Sequence, residues 1–230
     1  MLPLKDNVPT RRVPVVTISL IAANFLVWFW ELGRPEATVD RYAYYPCSVE
    51  GPCLGPAAQH HLPAWEGAFT AMFMHGSWLH ILGNMLFLWV FGNNVEDALG
   101  RLRFLLWYLA AGLAATATQT WATLHYAGLE AASVPNIGAS GAIAGVLGAY
   151  FVLLPHARVV TLLFGFLPVP ISAMFFLGFW FLFQLWQGGF SVTQPDANGG
   201  VAFAAHVGGF LFGVLAVKLF QVRAPLRPRW

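Results

Sequence analysis

Residues 131–155, AASVPNIGASGAIAGVLGAYFVLLP, run for 25 positions without a charged side chain. A membrane-spanning helix needs about 20 mostly apolar residues, so the stretch reads as a span. Pro135 and Gly138 keep its start irregular, which puts the helix start near Ser140 and its end before Pro155. About 15 residues at 1.5 Å each make a helix of about 22 Å, short of a hydrocarbon core about 30 Å thick. The outer end of this helix therefore lies below the membrane surface. Irregular backbone at that depth is tolerated only against protein or a water-filled cavity. A buried, wet cavity is expected beside Ser140.

Composition supports a membrane setting for the whole chain. Of 230 residues, 58% are hydrophobic and 10% charged, with 10 Trp and 20 Phe. Ordinary soluble domains run about 45–50% apolar and about 25% charged. A soluble enzyme, a disordered regulator and a nucleic-acid binder are excluded on that ground, and a formal charge of +2 calls for no polyanionic partner. Further apolar stretches fall at roughly 13–30, 72–94, 104–126, 159–190 and 199–217. The expected fold is an all-α polytopic membrane protein: a compact six-helix bundle over 13–222, flanked by tails 1–12 and 223–230. A long external loop, about 33–70, joins the first two helices. The first stretch follows Lys5, Arg11 and Arg12 as in a signal peptide, yet it is too long for one and no A-x-A site follows, so a retained helix is expected.

Six spans put both tails and the second and fourth connections on one side. That side carries Lys5, Arg11, Arg12, Arg101, Arg103, Arg158, Lys218, Arg223, Arg227 and Arg229, against Arg34 and Arg41 on the other. The bias predicts cytoplasmic termini. The stretch 159–190 is too long for one helix. Pro168 and Pro170 suit a first turn, so its helix is expected near Pro170, with 157–169 an apolar segment on the cytoplasmic side.

Polar side chains within spans are costly and are functional candidates by default. His80 and Asn84, spaced i, i+4, share one face of the second helix near its outer end. Ser140 opens the short fourth helix. His206 lies about two turns into the sixth if that helix enters near Gly199 or Gly200. All four then sit at one depth. Singly, each has a structural reading: Ser bonding back to its helix, His or Asn joining helices. Together they supply a nucleophile, a general base and two hydrogen-bond donors. No Asp or Glu lies near that level, since Glu31, Glu96, Asp97, Glu130 and Asp196 fall at span ends or in loops. A serine hydrolase here works as a dyad, its base oriented by a non-carboxylate group or by none. Gly141 and Gly145, facing Gly209 and Gly213 at the same spacing, allow the fourth and sixth helices to approach closely. Cys47 and Cys53 share the external loop; a local disulfide, a metal site with His60 and His61, and free thiols are all open readings.

Three ordered motifs carry a family resemblance over about residues 10–220. They are Gly138-Ala139-Ser140-Gly141-Ala142-Ile143, His206-Val207-Gly208-Gly209, and Met74-His75-Gly76-Ser77-Trp78-Leu79-His80-Ile81-Leu82-Gly83-Asn84. Phe91-Gly92-Asn93-Asn94-Val95-Glu96-Asp97 matches the end of the second helix. The sequence resembles the rhomboid intramembrane serine proteases, with the six-helix core of the bacterial type. The resemblance implies Ser140 as nucleophile and His206 as general base, with His80, Asn84 and the Ser140 N–H binding the oxyanion. It implies cleavage of single-span membrane proteins near the outer face of the plasma membrane, preferring small residues before the cut. The bilayer is the other implied partner, and no cofactor, metal or nucleic acid is. Certain members stack an aromatic residue one turn after the serine on the histidine; here that position is Ala144, so another ring orients His206 or none does. Trp180 and Phe181 are candidate gate residues, and Trp65 of the external loop is expected partly in the outer leaflet.

Two rival functions are disfavoured, the first because Ser140 and His206 are both present. One is a non-catalytic, rhomboid-like binder of membrane helices, which typically lacks the serine or histidine. The other is a transporter or channel, which needs a polar path through both leaflets. Leu86–Phe91, Val146–Leu153 and Phe210–Val217 are apolar instead.

Overall fold

The computed structural model describes residues 1–193 and 202–228. A short strand, β1 (Leu2–Asp6), precedes α1 (Val15–Glu31). Short helices follow: α2 (Glu36–Tyr42), a 3-10 turn Pro46–Ser48, α3 (Pro56–Gln59), α4 (Ala64–Thr70) and a 3-10 turn Ala71–Phe73. Then come α5 (Trp78–Leu99), α6 (Arg101–Tyr126), the short α7 (Gly128–Ala132) and α8 (Ser140–Leu153). Strands β2 (Arg158–Leu163) and β3 (Leu167–Ser172) lead into α9 (Ala173–Thr193), and α10 (Phe203–Phe220) ends the order. Most of the chain is helical. The long helices α1, α5, α6, α8, α9 and α10 stand on the six apolar stretches. Among the described residues, Phe203–Phe220 is the one helix both long and apolar enough to cross a membrane by length and composition. Val15–Glu31, Ser140–Leu153 and Ala173–Gly188 are apolar but shorter.

Helix α8 runs for 14 residues, bounded as Gly138 and Pro155 require, and every residue from Ala142 to Tyr150 is buried. It lies backbone on backbone against α10. A Cβ at Gly209 would collide with the Gly141 carbonyl, one at Gly213 with the Gly145 carbonyl, and one at Gly148 with the Phe210 carbonyl. On the α6 side, Ala115 and Ala111 fill the space over Gly141 and Gly145. Small residues on three helices thus replace side-chain packing with close backbone approach.

The all-α expectation is corrected by a three-stranded sheet in the order β1-β2-β3. Leu2 pairs with Leu162 and Asp6 with Val159; Arg158 pairs with Ser172 and Leu163 with Leu167, all antiparallel. Pro168 and Pro170 do not open a helix. They lie in β3, an edge strand, where a missing N–H is tolerated, and the helix begins at Ala173. The β-branched run Val159-Val160-Thr161 suits the central strand. The N-terminal segment, expected to be a plain tail, supplies the other edge.

Buried polar groups knit this end of the bundle. The N-terminus of α1 has no cap of its own; the Glu96 carboxylate of α5 accepts from Val16 N–H at 3.0 Å and from the Thr17 N–H and hydroxyl at 2.8 Å each. A carboxylate there satisfies orphan donors and suits the helix dipole. Arg11 pairs with Asp97 at 2.8 Å and also donates to the Ala224 carbonyl. Asp6 accepts from Asn94 at 2.6 Å and from the Tyr150 hydroxyl at 2.5 Å. Tail segments, the α5–α6 junction and the hairpin therefore share one end, the grouping that the Lys/Arg count assigns to one side. The expected start of the sixth helix near Gly199 or Gly200, together with Asp196 and Arg229, lies outside the described residues.

Candidate active site

Ser140 is the first residue of α8. Its Oγ lies 2.8 Å from His206 Nε2, so the serine bonds across the helix interface rather than back to its own helix. His206 sits in the first turn of α10 as described from Phe203. On the far side of the ring, Nδ1 lies 2.8 Å from Gln184 Oε1 of α9. A carbonyl oxygen only accepts, so Nδ1 carries the ring hydrogen and Nε2 is left to accept the serine hydroxyl. Trp180, one turn before Gln184, sets its ring 5.9 Å from the imidazole at 39°, and Phe203 meets it edge-on at 6.3 Å. With Ala144 in α8, the neighbouring ring comes from α9. Phe181 stacks on Phe210 at 4.5 Å instead.

His80 and Asn84 project from the start of α5. Ser77 caps that helix, its Oγ accepting from the His80 N–H at 3.2 Å. Asn84 Nδ2 lies 3.0 Å from His75 Nε2, and His75 Nδ1 lies 3.2 Å from the Phe73 carbonyl. The same tautomer argument applies: Nδ1 donates to the carbonyl, so Nε2 accepts from the Asn84 amide. Both Glu31 oxygens accept from the His75 N–H at 3.2 Å, and the His75 and His80 rings meet at 5.0 Å. Gly138 joins this pair to Ser140. Its φ of +123° disfavours a side chain, and a Cβ there would come within 2.7 Å of His80 Nε2 and 3.7 Å of Asn84 Nδ2. The two donors therefore stand over the loop leading into the serine, though neither bonds to its hydroxyl.

The cavity expected beside the short helix is present, at about 50 Å³, lined by Ser140, Asn136, Gln119, Thr116 and Tyr44 among others. About 10–15 Å³ holds one water, so several fit. Its walls are tied: the Tyr44 hydroxyl bonds Thr120 Oγ1 at 2.7 Å, and Gln119 Oε1 accepts from the Ala205 N–H at 3.1 Å. Burial raises the Tyr44 hydroxyl above its ordinary value.

Cys47 and Cys53 form a disulfide, which removes the free-thiol and metal readings. His60 and His61 bond the Pro56 and Leu62 carbonyls. Three side chains near the site had no expected role: Gln184, His75, which figured only within a motif, and Glu31, set aside as a span-end residue but bonded here to the His75 N–H. Gln184 had a signal, as the one polar side chain between Ala173 and Trp186.

Fold and site define a class of helical membrane protein in which a serine at a helix start meets a histidine of the adjacent helix. The Rhomboid domain model matches residues 63–222, and the chain belongs to the rhomboid family. Rhomboid protein 1, mitochondrial, of Saccharomyces cerevisiae is 34% identical over 150 residues, covering 62% of this chain and 38% of the yeast protein. The presenilin-associated rhomboid-like protein, mitochondrial, of Homo sapiens is 28% identical over 226 residues, 92% of this chain and 51% of the relative. The protein of that name from Bos taurus is 30% identical over 227 residues, 92% and 52%. The chain spans about half or less of the length of these relatives.

Proposed function

We propose that this protein is an intramembrane serine endopeptidase that cuts single-span membrane proteins within or beside their spans. The observation that carries the reading is the 2.8 Å bond between Ser140 Oγ and His206 Nε2 beside a water-sized cavity. In the proposed reaction, His206 Nε2 takes the hydroxyl proton as Oγ attacks the scissile carbonyl, then returns it to the leaving amine. The developing oxyanion meets the Ser140 N–H, the Asn84 amide and a His80 N–H, with the positive end of α8 beneath it. Water from the cavity then releases the acyl group.

Six spans are proposed for α1, α5, α6, α8, α9 and α10. The support is surface chemistry: Leu79, Leu215 and Leu219 are 84%, 76% and 82% exposed on their helices, an arrangement suited to lipid and poorly suited to water. The proposed location is the plasma membrane, with the Lys/Arg-rich end and both termini cytoplasmic and the site near the outer face.

The test is cleavage of a single-span model substrate by purified protein in detergent, with product ends fixed by mass spectrometry. Cutting in or beside the span is expected from wild type and from neither Ser140→Ala nor His206→Ala. Cutting that persists in Ser140→Ala removes the assigned nucleophile. A wild type that neither cuts nor takes a fluorophosphonate at Ser140 is a binder of membrane helices, not a protease.

A further inference from the structure

A histidine that must accept a serine proton at Nε2 needs its own hydrogen on Nδ1, and an imidazole left alone exchanges between the two tautomers. The groups around His206 offer few ways to hold that hydrogen. Trp180 carries an indole N–H, which donates and cannot accept; Phe203 offers only a ring edge. Among the described residues, the acceptor at Nδ1 is Gln184 Oε1, 2.8 Å away. Gln184 is 6% exposed within a run of apolar side chains on α9, where an unpartnered amide would be costly.

We propose that Gln184 is the positioning residue of the dyad: its side-chain carbonyl holds the Nδ1–H form of His206 and turns Nε2 toward Ser140. The proposal rests on the dyad reading and extends it to a third helix, since Ser140, His206 and Gln184 come from α8, α10 and α9. During attack the hydroxyl proton passes to Nε2 while the Oγ electron pair forms the bond to the carbonyl carbon. The carbonyl π pair moves to the oxygen, and the Nδ1 hydrogen stays on Nδ1, bonded to Gln184. A neutral amide fixes the ring without placing a full negative charge beside the imidazolium. It does the orienting share of what a carboxylate does in a triad, and less of the electrostatic share.

Two measurements test this. In ¹⁵N-histidine-labelled wild type in liposomes, the resonance pair that disappears in His206→Gln should show a protonated Nδ1 and a bare Nε2. An Nε2–H form in wild type overturns the proposal without any Gln184 variant. Second, fluorophosphonate labelling of Ser140 and steady-state cleavage are compared for wild type, Gln184→Leu and Gln184→Glu. Gln184→Leu should lower kcat and the labelling rate about 10–100-fold with KM little changed, a smaller loss than the roughly 10²–10⁴ of losing a general base. Its ring signals should shift toward the other tautomer, and Gln184→Glu, which keeps an acceptor, should recover most of the rate. Wild-type rate and tautomer in Gln184→Leu defeat the proposal while leaving the dyad standing. A wild type unlabelled at Ser140 defeats both.

Discussion

Asn84 has two amide hydrogens, and His75 Nε2 takes one of them at 3.0 Å. Because His75 Nδ1 is committed to the Phe73 carbonyl, the ring can only accept on that side, which fixes the amide nitrogen, not its oxygen, toward His75. The second hydrogen is then free for a developing oxyanion. Asn84→Ala should lower kcat about 10²–10³-fold with KM little changed, read by steady-state cleavage; Asn84→Asp, of the same shape but offering acceptors, should lose as much. Full activity in both would take Asn84 out of the oxyanion site. Ser140, His206, His80 and Asn84 were legible as candidates because each interrupts an apolar helix at a depth that simple counting gives. Gln184 interrupts one equally plainly, about four turns beyond the helix start expected near Pro170, but it belongs to none of the recognised motifs. Its meeting with His206, 22 residues on, is a tertiary contact that no local spacing encodes.

Among the elements, α8 and α10 depend on each other most directly. Gly145 and Gly213 bring one helix's carbonyl to where the other's Cβ would be. Gly213→Leu must push the helices apart, and we expect a loss of about 1–3 kcal/mol together with slower labelling of Ser140, since the dyad straddles that interface. Gly83→Ala is the contrast: nothing lies within 4 Å of a Cβ there, and a mid-helix Gly→Ala change should add up to about 1 kcal/mol. Thermal unfolding of both variants checks the pair. The close approach was readable from two G-x-x-x-G spacings. The hairpin was not, because proline suits a helix's first turn and an edge strand alike. What decides between them is β1, over 150 residues earlier in the chain, offering Thr161 and its neighbours a partner.

At the scale of the whole molecule, that sheet is tied to the bundle through Asp6, which bonds both Asn94 of α5 and Tyr150 of α8. Burial raises its carboxyl above the ordinary value, against the opposing pull of those hydrogen bonds. A raised folded-state value means that the folded protein favours the protonated acid. The stabilisation is full below the unfolded value and lost as pH rises through the folded one. The melting temperature of wild type, measured against Asp6→Asn, should therefore climb as pH falls from neutral through that range; a difference that shrinks instead would mean the hydrogen bonds outweigh burial. The pairing of Leu2 with Leu162 also has a bearing on the order of events during synthesis. At about 5–20 residues per second, β1 leaves the ribosome roughly 8–30 s before β2 exists. The first strand made is thus among the last to find its neighbour, and until the fourth long helix is complete its backbone groups have nothing of this sheet to pair with.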